Sequence, residues 1–297
     1  MAPGGSAALT DAEKGLVERP RLWPVWLSCV AAFVAIVAFS FLAVAIVRSL
    51  YPDLPERVAL EGLPGLLAGS IASSAAFVLT ALIASGSAAP AALRLVPGRE
   101  TGRTLLLVVV GMLALGQTLD SLTVLAGLAN QGSILMIRQA LAHAAGPDLF
   151  LAVLIVGGLV GTAEEIFFRG YMQTRLVQRL PRGAAVFVTS LCFGVFHLDW
   201  LHGLLALILG LYLGWITELT GSALPAVACH VINNAVFTLL TASWGAVDGF
   251  ELNIGLGAAG AVVFVGTVLC LRTDPAAASE SAWLTNVALR VWKRLRR

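Results

Sequence analysis

Gly161-Thr162-Ala163-Glu164-Glu165-Ile166-Phe167-Phe168-Arg169-Gly170 decides how this chain is to be read. It places two carboxylates and a guanidinium inside an apolar segment, 148–171, that is long enough to cross a bilayer. One charged side chain at a bilayer centre costs roughly 2.5–3.5 kcal/mol on translocon-based scales. A plain membrane anchor has no reason to carry three, so Glu164, Glu165 and Arg169 are expected inside a bundle, at its functional centre. Neighbouring residues on a helix diverge by about 100°, which gives the two glutamates different roles. Glu165 and Arg169, at i and i+4, share a face and neutralise each other. Glu164 has no local partner and is expected to be uncharged or to face a wet cavity, where a carboxylate suits general-base work on water.

Two later apolar segments each carry one histidine. The first ends Phe193-Gly194-Val195-Phe196-His197, and the second contains His230-Val231-Ile232-Asn233-Asn234. His230 and Asn234 share a helix face, whereas Asn233 points elsewhere. A carboxylate, two imidazoles and a carboxamide on three helices meet only if those helices surround one pocket. His143 and His202 read as interfacial or loop residues. Asp120 and Gln117 are expected to satisfy each other or a neighbouring helix, with a cavity-lining role as the alternative.

The rest of the chain fits a membrane setting. Only 12% of the 297 residues are charged, against about 25% in soluble domains, and the mean hydropathy is +0.89. A net charge of +2 argues against a broad nucleic-acid-binding surface. Cys29, Cys192, Cys229 and Cys270 lie in apolar segments without zinc-ribbon or disulfide spacing and read as buried free thiols.

At about 20 apolar residues per span, eight segments stand out: 23–47, 63–85, 104–128, 148–171, 184–199, 202–218, 223–243 and 252–271. The fifth and sixth are short and nearly continuous, as in a hairpin that turns before the far surface. With both termini in the cytoplasm, 15 of 19 basic residues fall on the cytoplasmic side, as the positive-inside rule asks. Counting from that side puts Glu164 and His230 roughly 10 Å deep and His197 roughly 20 Å deep, a mismatch unless the fifth helix starts late or tilts. The chain then divides into a disordered cytoplasmic N-terminus (1–22), N-terminal membrane helices (23–147), a core with the charged and histidine-bearing helices (148–243), which the resemblance described next implies to be catalytic, a last membrane helix (244–271) and a basic amphipathic cytoplasmic tail (272–297).

Glu164-Glu165-x-x-x-Arg169, Phe193-x-x-x-His197 and His230-x-x-x-Asn234, in this order, resemble the three motifs of the CPBP family. These are the CAAX-protease and bacteriocin-processing intramembrane proteases, which include the Ras-converting CAAX endopeptidases. The stretch from Leu211 to Pro225 is also similar to the family's lead-in to its third motif. The resemblance covers roughly 148–243 and implies an all-α, polytopic bundle of about eight helices with a conical polar cavity open to the cytoplasm. It further implies an intramembrane endopeptidase in which Glu164 and His197 activate water, His230 and Asn234 stabilise the oxyanion, and Glu165 and Arg169 support them.

Glu164, His197 and His230 are also a candidate catalytic zinc set with a free fourth position; a metal-free glutamate mechanism is the other reading, and both stand at this point. The implied partners are membrane lipid and a membrane-associated peptide or protein substrate, with no nucleic acid. The 17 arginines against 2 lysines suggest a bacterial inner membrane. Two competing functions remain: a catalytically silent immunity or scaffold protein on the same fold, and a transporter using these groups as a proton relay. The transporter reading lacks the inverted repeats such folds show.

Overall fold

A computed structural model of the chain describes residues 21–245, 247 and 249–273. The expected disordered N-terminus and amphipathic tail lie almost wholly outside the described residues. Within them the structure is helical: α1 (Trp23–Leu50), α2 (Glu56–Glu61), α3 (Leu63–Ser85), α4 (Gly102–Leu125), α5 (Gly132–Leu141), α6 (Gly146–Leu176), α7 (Arg182–Val195), α8 (Trp200–Thr220), α9 (Leu224–Trp244) and α10 (Phe250–Arg272). Seven of these are long and apolar enough to cross a membrane, and the chain is an integral membrane protein.

All eight expected spans exist as helices, with altered ends in all but 63–85. α7 has 14 residues, roughly 21 Å at 1.5 Å per residue, short of a hydrocarbon core of about 30 Å. α8, expected to be short as well, has 21 residues. α6 runs on to Leu176, so Glu164 sits deeper in its helix than the sequence count placed it and comes nearer the level of His197. Two short helices, α2 and α5, escaped the span rule because each is far below 20 residues.

Close approach of helix backbones sets the bundle's centre. A Cβ added at Gly157 would lie 3.0 Å from the Ala235 Cα, and one at Gly161 3.2 Å from the Val231 backbone nitrogen. Gly157-x-x-x-Gly161 is thus the flat strip that lets α6 lie against α9, the small-residue packing favoured in lipid. A Cβ on Gly203 would likewise come 2.7 Å from the Gly194 carbonyl oxygen, so α7 and α8 close on each other just inside their hairpin. Leu198 completes that hairpin at φ 53°, a left-handed conformation that costs a branched residue of order 1–3 kcal/mol.

Outside this centre, α1 packs mainly on α3 and presents Leu27, Val34, Phe41 and Leu42 outward. Cys229 is buried as expected, but Cys270 is exposed on α10. An apolar thiol facing lipid needs no core, so hydrophobicity alone does not distinguish the two positions.

Candidate functional site

α6 departs from regular geometry around its charged residues. Two π-helical stretches, Val153–Val160 and Ile166–Gln173, flank the α-helical turn Gly161–Glu165. Such widened turns re-aim side chains and recur at functional sites. Here Glu165, Arg169 and Gln173 are all fully buried and face neighbouring helices.

Arg169 Nη1 donates to Glu165 Oε1 at 2.7 Å, and Nη2 donates to the Gly210 carbonyl at 3.0 Å. Gln173 Nε2 donates to the Gly214 carbonyl at 2.9 Å. Gly210 and Gly214 do more than let helices approach, because a Cβ there would press on the Arg169 Nη2 and the Gln173 amide oxygen. The expected Glu165–Arg169 pair is therefore present, and it also fastens α6 to α8.

Glu165 Oε1 also meets His230 Nδ1 at 2.8 Å. A carboxylate only accepts, so Nδ1 carries the proton and Nε2 is turned to other work. That nitrogen lies 3.6 Å from Glu164 Oε2, too far for a direct hydrogen bond and close enough for both to reach one water. Glu164 thus has a partner after all, supplied by α9 rather than by its own helix.

His197 is oriented in a similar way. Its Nδ1 stands 2.8 Å from the Phe193 carbonyl, which must accept and so leaves Nε2 with its lone pair. The Phe193 ring has the Arg169 guanidinium 4.7 Å from its centroid and lies edge to face with both His197 and His230. This explains why an aromatic residue precedes the histidine by one turn: it shields the buried cation and spaces the two imidazoles.

Glu164, His197, His230 and Asn234 all line one cavity of about 560 Å³. Asn234 Nδ2 approaches the Val156 carbonyl at 3.5 Å. Apart from these groups the walls are mostly apolar, from Ile134, Val156, Leu209 and Phe237 among others.

Several residues read differently from the sequence. His202 belongs to the site, lining the cavity with its ring 4.3 Å from that of His197. The α7–α8 hairpin folds it back, which a one-dimensional pattern does not reveal. Asn233 also lines the cavity, because a wide pocket accepts side chains about 100° apart. Asp120 satisfies a neighbouring helix rather than Gln117, which was one of the expected alternatives, and both residues line the cavity. Asp120 accepts from Arg138 Nη2 at 2.6 Å, while Gln117 donates to Ser121. Arg138 falls between the third and fourth expected spans, and α5 carries it into the cavity wall. His143 is exposed in a loop, as expected.

Asp199 ties the hairpin to α5. It accepts from the backbone N–H of His202 at 2.8 Å and from that of Ser133 at 3.2 Å. Those backbone donors, with His202 first, hold its carboxyl below the ordinary carboxylate range.

The arginine-rich end of the bundle is tied together by polar contacts at Glu218. Glu218 accepts from Arg94 at 2.6 Å and from Gln173 at 2.9 Å, with Arg182 at 3.7 Å. The cavity extends the other way, to Gly245 and Val247 after α9 and to α5. The cavity-lining residues and the arginine-rich helix ends thus lie towards opposite ends of the described bundle.

Among the described residues no three His, Cys, Asp or Glu side chains converge closely enough to hold a metal ion. Glu164 and His230 approach each other, but His197 does not complete a three-ligand set with them.

Residues 146–236, from the start of α6 to the middle of α9, match the family model described as type II CAAX prenyl endopeptidase Rce1-like. Over this segment, less than half of the chain, the protein is similar to that family. The family segment holds Glu164, Glu165, Arg169, His197, His230 and Asn234, while α4 and α5, which complete the cavity, lie before it. No curated protein and no solved structure matched in the same comparisons.

Proposed function

We propose that this protein is an intramembrane endopeptidase that hydrolyses a peptide bond of a membrane-associated peptide or protein. The single observation that carries the reading is the 3.6 Å separation of Glu164 Oε2 and His230 Nε2 within a cavity also lined by His197 and Asn234. Glu164 takes a proton from a water held between these groups, and the water attacks the scissile carbonyl carbon. His197 Nε2 helps orient that water and carries the proton on towards the leaving amine. The Asn234 amide stabilises the oxyanion, while His230 Nε2, left with its lone pair, accepts from the attacking water and holds it beside Glu164. Glu165 and Arg169 touch no reacting atom; they fix the His230 tautomer and hold α6 to α8.

No step is routed through a metal, because the residues do not form a three-ligand set. Metal analysis of purified protein tests this: stoichiometric zinc that is lost in His197→Ala would overturn the metal-free mechanism. The family's printed name describes prenyl endopeptidases, and the apolar cavity walls suit a lipid-modified or otherwise apolar peptide. The basic-residue count supports a bacterial inner membrane with both termini cytoplasmic.

Proteomic comparison of cells expressing wild type and Glu164→Gln tests the activity. Membrane peptides that disappear only with wild type are expected. An unchanged profile, with both proteins present at equal levels, would favour a silent scaffold instead.

A further inference from the structure

The cavity contains a cation that the proposed hydrolysis does not use. Arg138 is 8% exposed and lies in the cavity wall, yet it is only partly satisfied. Nη2 donates to Asp120 Oδ1 at 2.6 Å, whereas Nε and Nη1 are buried with no hydrogen-bond partner among the described residues. Unmet donors on a buried guanidinium are costly, and such a group is well suited to planar anions such as carboxylate. Among the described residues, the other charged groups lining the cavity are Asp120, already engaged, and Glu164, which stands beside His230 and makes no ion pair or hydrogen bond with Arg138. Arg138 lies on α5, outside the matched family segment, so the motif residues do not account for it.

We propose that Arg138 forms a carboxylate-binding subsite in this cavity, which grips an anionic end of the peptide whose bond is cut at Glu164. The inference rests on the endopeptidase reading and adds a substrate feature to it: a carboxylate placed beyond the scissile bond, either a free C-terminus or an acidic side chain. Asp120 positions the guanidinium by occupying Nη2 and leaves Nε and Nη1 for the ligand. Within an apolar wall, one charge-assisted contact gives the substrate a fixed register along the cavity.

Binding is tested with full-length Glu164→Gln protein in detergent, so that peptide is not consumed. The probes are an N-palmitoylated apolar hexapeptide as its C-terminal acid, the same peptide as its amide, and the amide with a glutamate in its last position. Affinity is read from ligand-induced thermal stabilisation. The acid is expected to bind about tenfold more tightly than the amide, and adding Arg138→Gln should remove that preference. Arg138→Lys should restore only part of it. Asp120→Asn, which keeps the guanidinium, should retain or strengthen it, so a poorly folded Arg138→Gln does not block the test. A glutamate-bearing amide that binds like the acid identifies a side-chain carboxylate as the ligand; one that binds like the plain amide identifies the C-terminus.

Equal binding of all three peptides, no binding of either carboxylate, or a preference that survives Arg138→Gln would overturn the subsite. So would Arg138-dependent stabilisation by phosphatidylglycerol over phosphatidylcholine nanodiscs without any peptide effect, since the anion would then be a lipid headgroup. If wild type fails to cleave the acid peptide that Glu164→Gln binds through Arg138, the endopeptidase reading falls and the subsite stands.

Discussion

α1 and α6 are both apolar helices of membrane-spanning length, and they do opposite things with that apolarity. α1 is uniformly hydrophobic, with side chains such as Leu27 and Phe41 facing outward. α6 buries Glu165, Arg169 and Gln173 completely and carries Glu164 at the cavity wall. The difference teaches that hydropathy finds the helix, while the polar residues it must hide determine where the helix sits. α6 can sit only where α8 offers bare glycine carbonyls and α9 offers a histidine.

The sharpest way to break the comparison is to remove the buried cation. Arg169→Met leaves Glu165 inside the bundle without its main partner. Breaking one half of a buried pair costs about 3–5 kcal/mol, so a large fall in melting temperature and in folded yield from detergent is expected. An equally stable variant would show that α6 is held as α1 is, by apolar packing alone. The next largest effect concerns chemistry rather than folding. Glu164→Gln is expected to lower cleavage at least about 100-fold, in the range seen for general acid–base groups, with little change in melting. A variant that retains full activity would move the base elsewhere.

A smaller effect is expected at Asp199. Removing a helix-capping carboxylate costs about 1 kcal/mol, and Asp199→Ala also unties α5 from the hairpin, so mild destabilisation should accompany weaker activity. Because the folded-state carboxyl is depressed, its contribution is present at neutral pH. It is lost as pH falls through the lowered value. Wild type should therefore lose stability on acidification in a way that Asp199→Ala does not, which melting curves at several pH values would detect. The smallest change belongs to α1. Leu27→Ala or Val34→Ala should shift stability by less than about 0.5 kcal/mol, and a loss comparable to that of Arg169→Met would mean that α1 contacts a partner.

Labelling sharpens the question of sidedness. Ser133→Cys lies at the cavity end of the bundle and a cysteine at Arg179 at the arginine-rich end. An impermeant thiol reagent applied to intact cells should modify the first and not the second if the basic ends are cytoplasmic. The reverse pattern would turn the protein over and let the cavity face the cytoplasm.

The sequence by itself determined the membrane class, the eight apolar helices and the polar residues that had to be hidden. Those properties follow from composition, span length and the cost of charge in lipid, all of which are local. It also determined the Glu165–Arg169 pair, because one helical turn links the two residues. Only the tertiary structure decided who completes the site. Glu164 meets His230 because Gly157 and Gly161 let α6 rest against the α9 backbone. His202 joins because Gly194 and Gly203 close the α7–α8 hairpin, and Arg138 enters because α5, too short to register as a span, is held against that hairpin by Asp199. Contacts between residues far apart in sequence depend on where glycines permit backbones to touch, and that spacing acquires meaning only when the helix opposite is known.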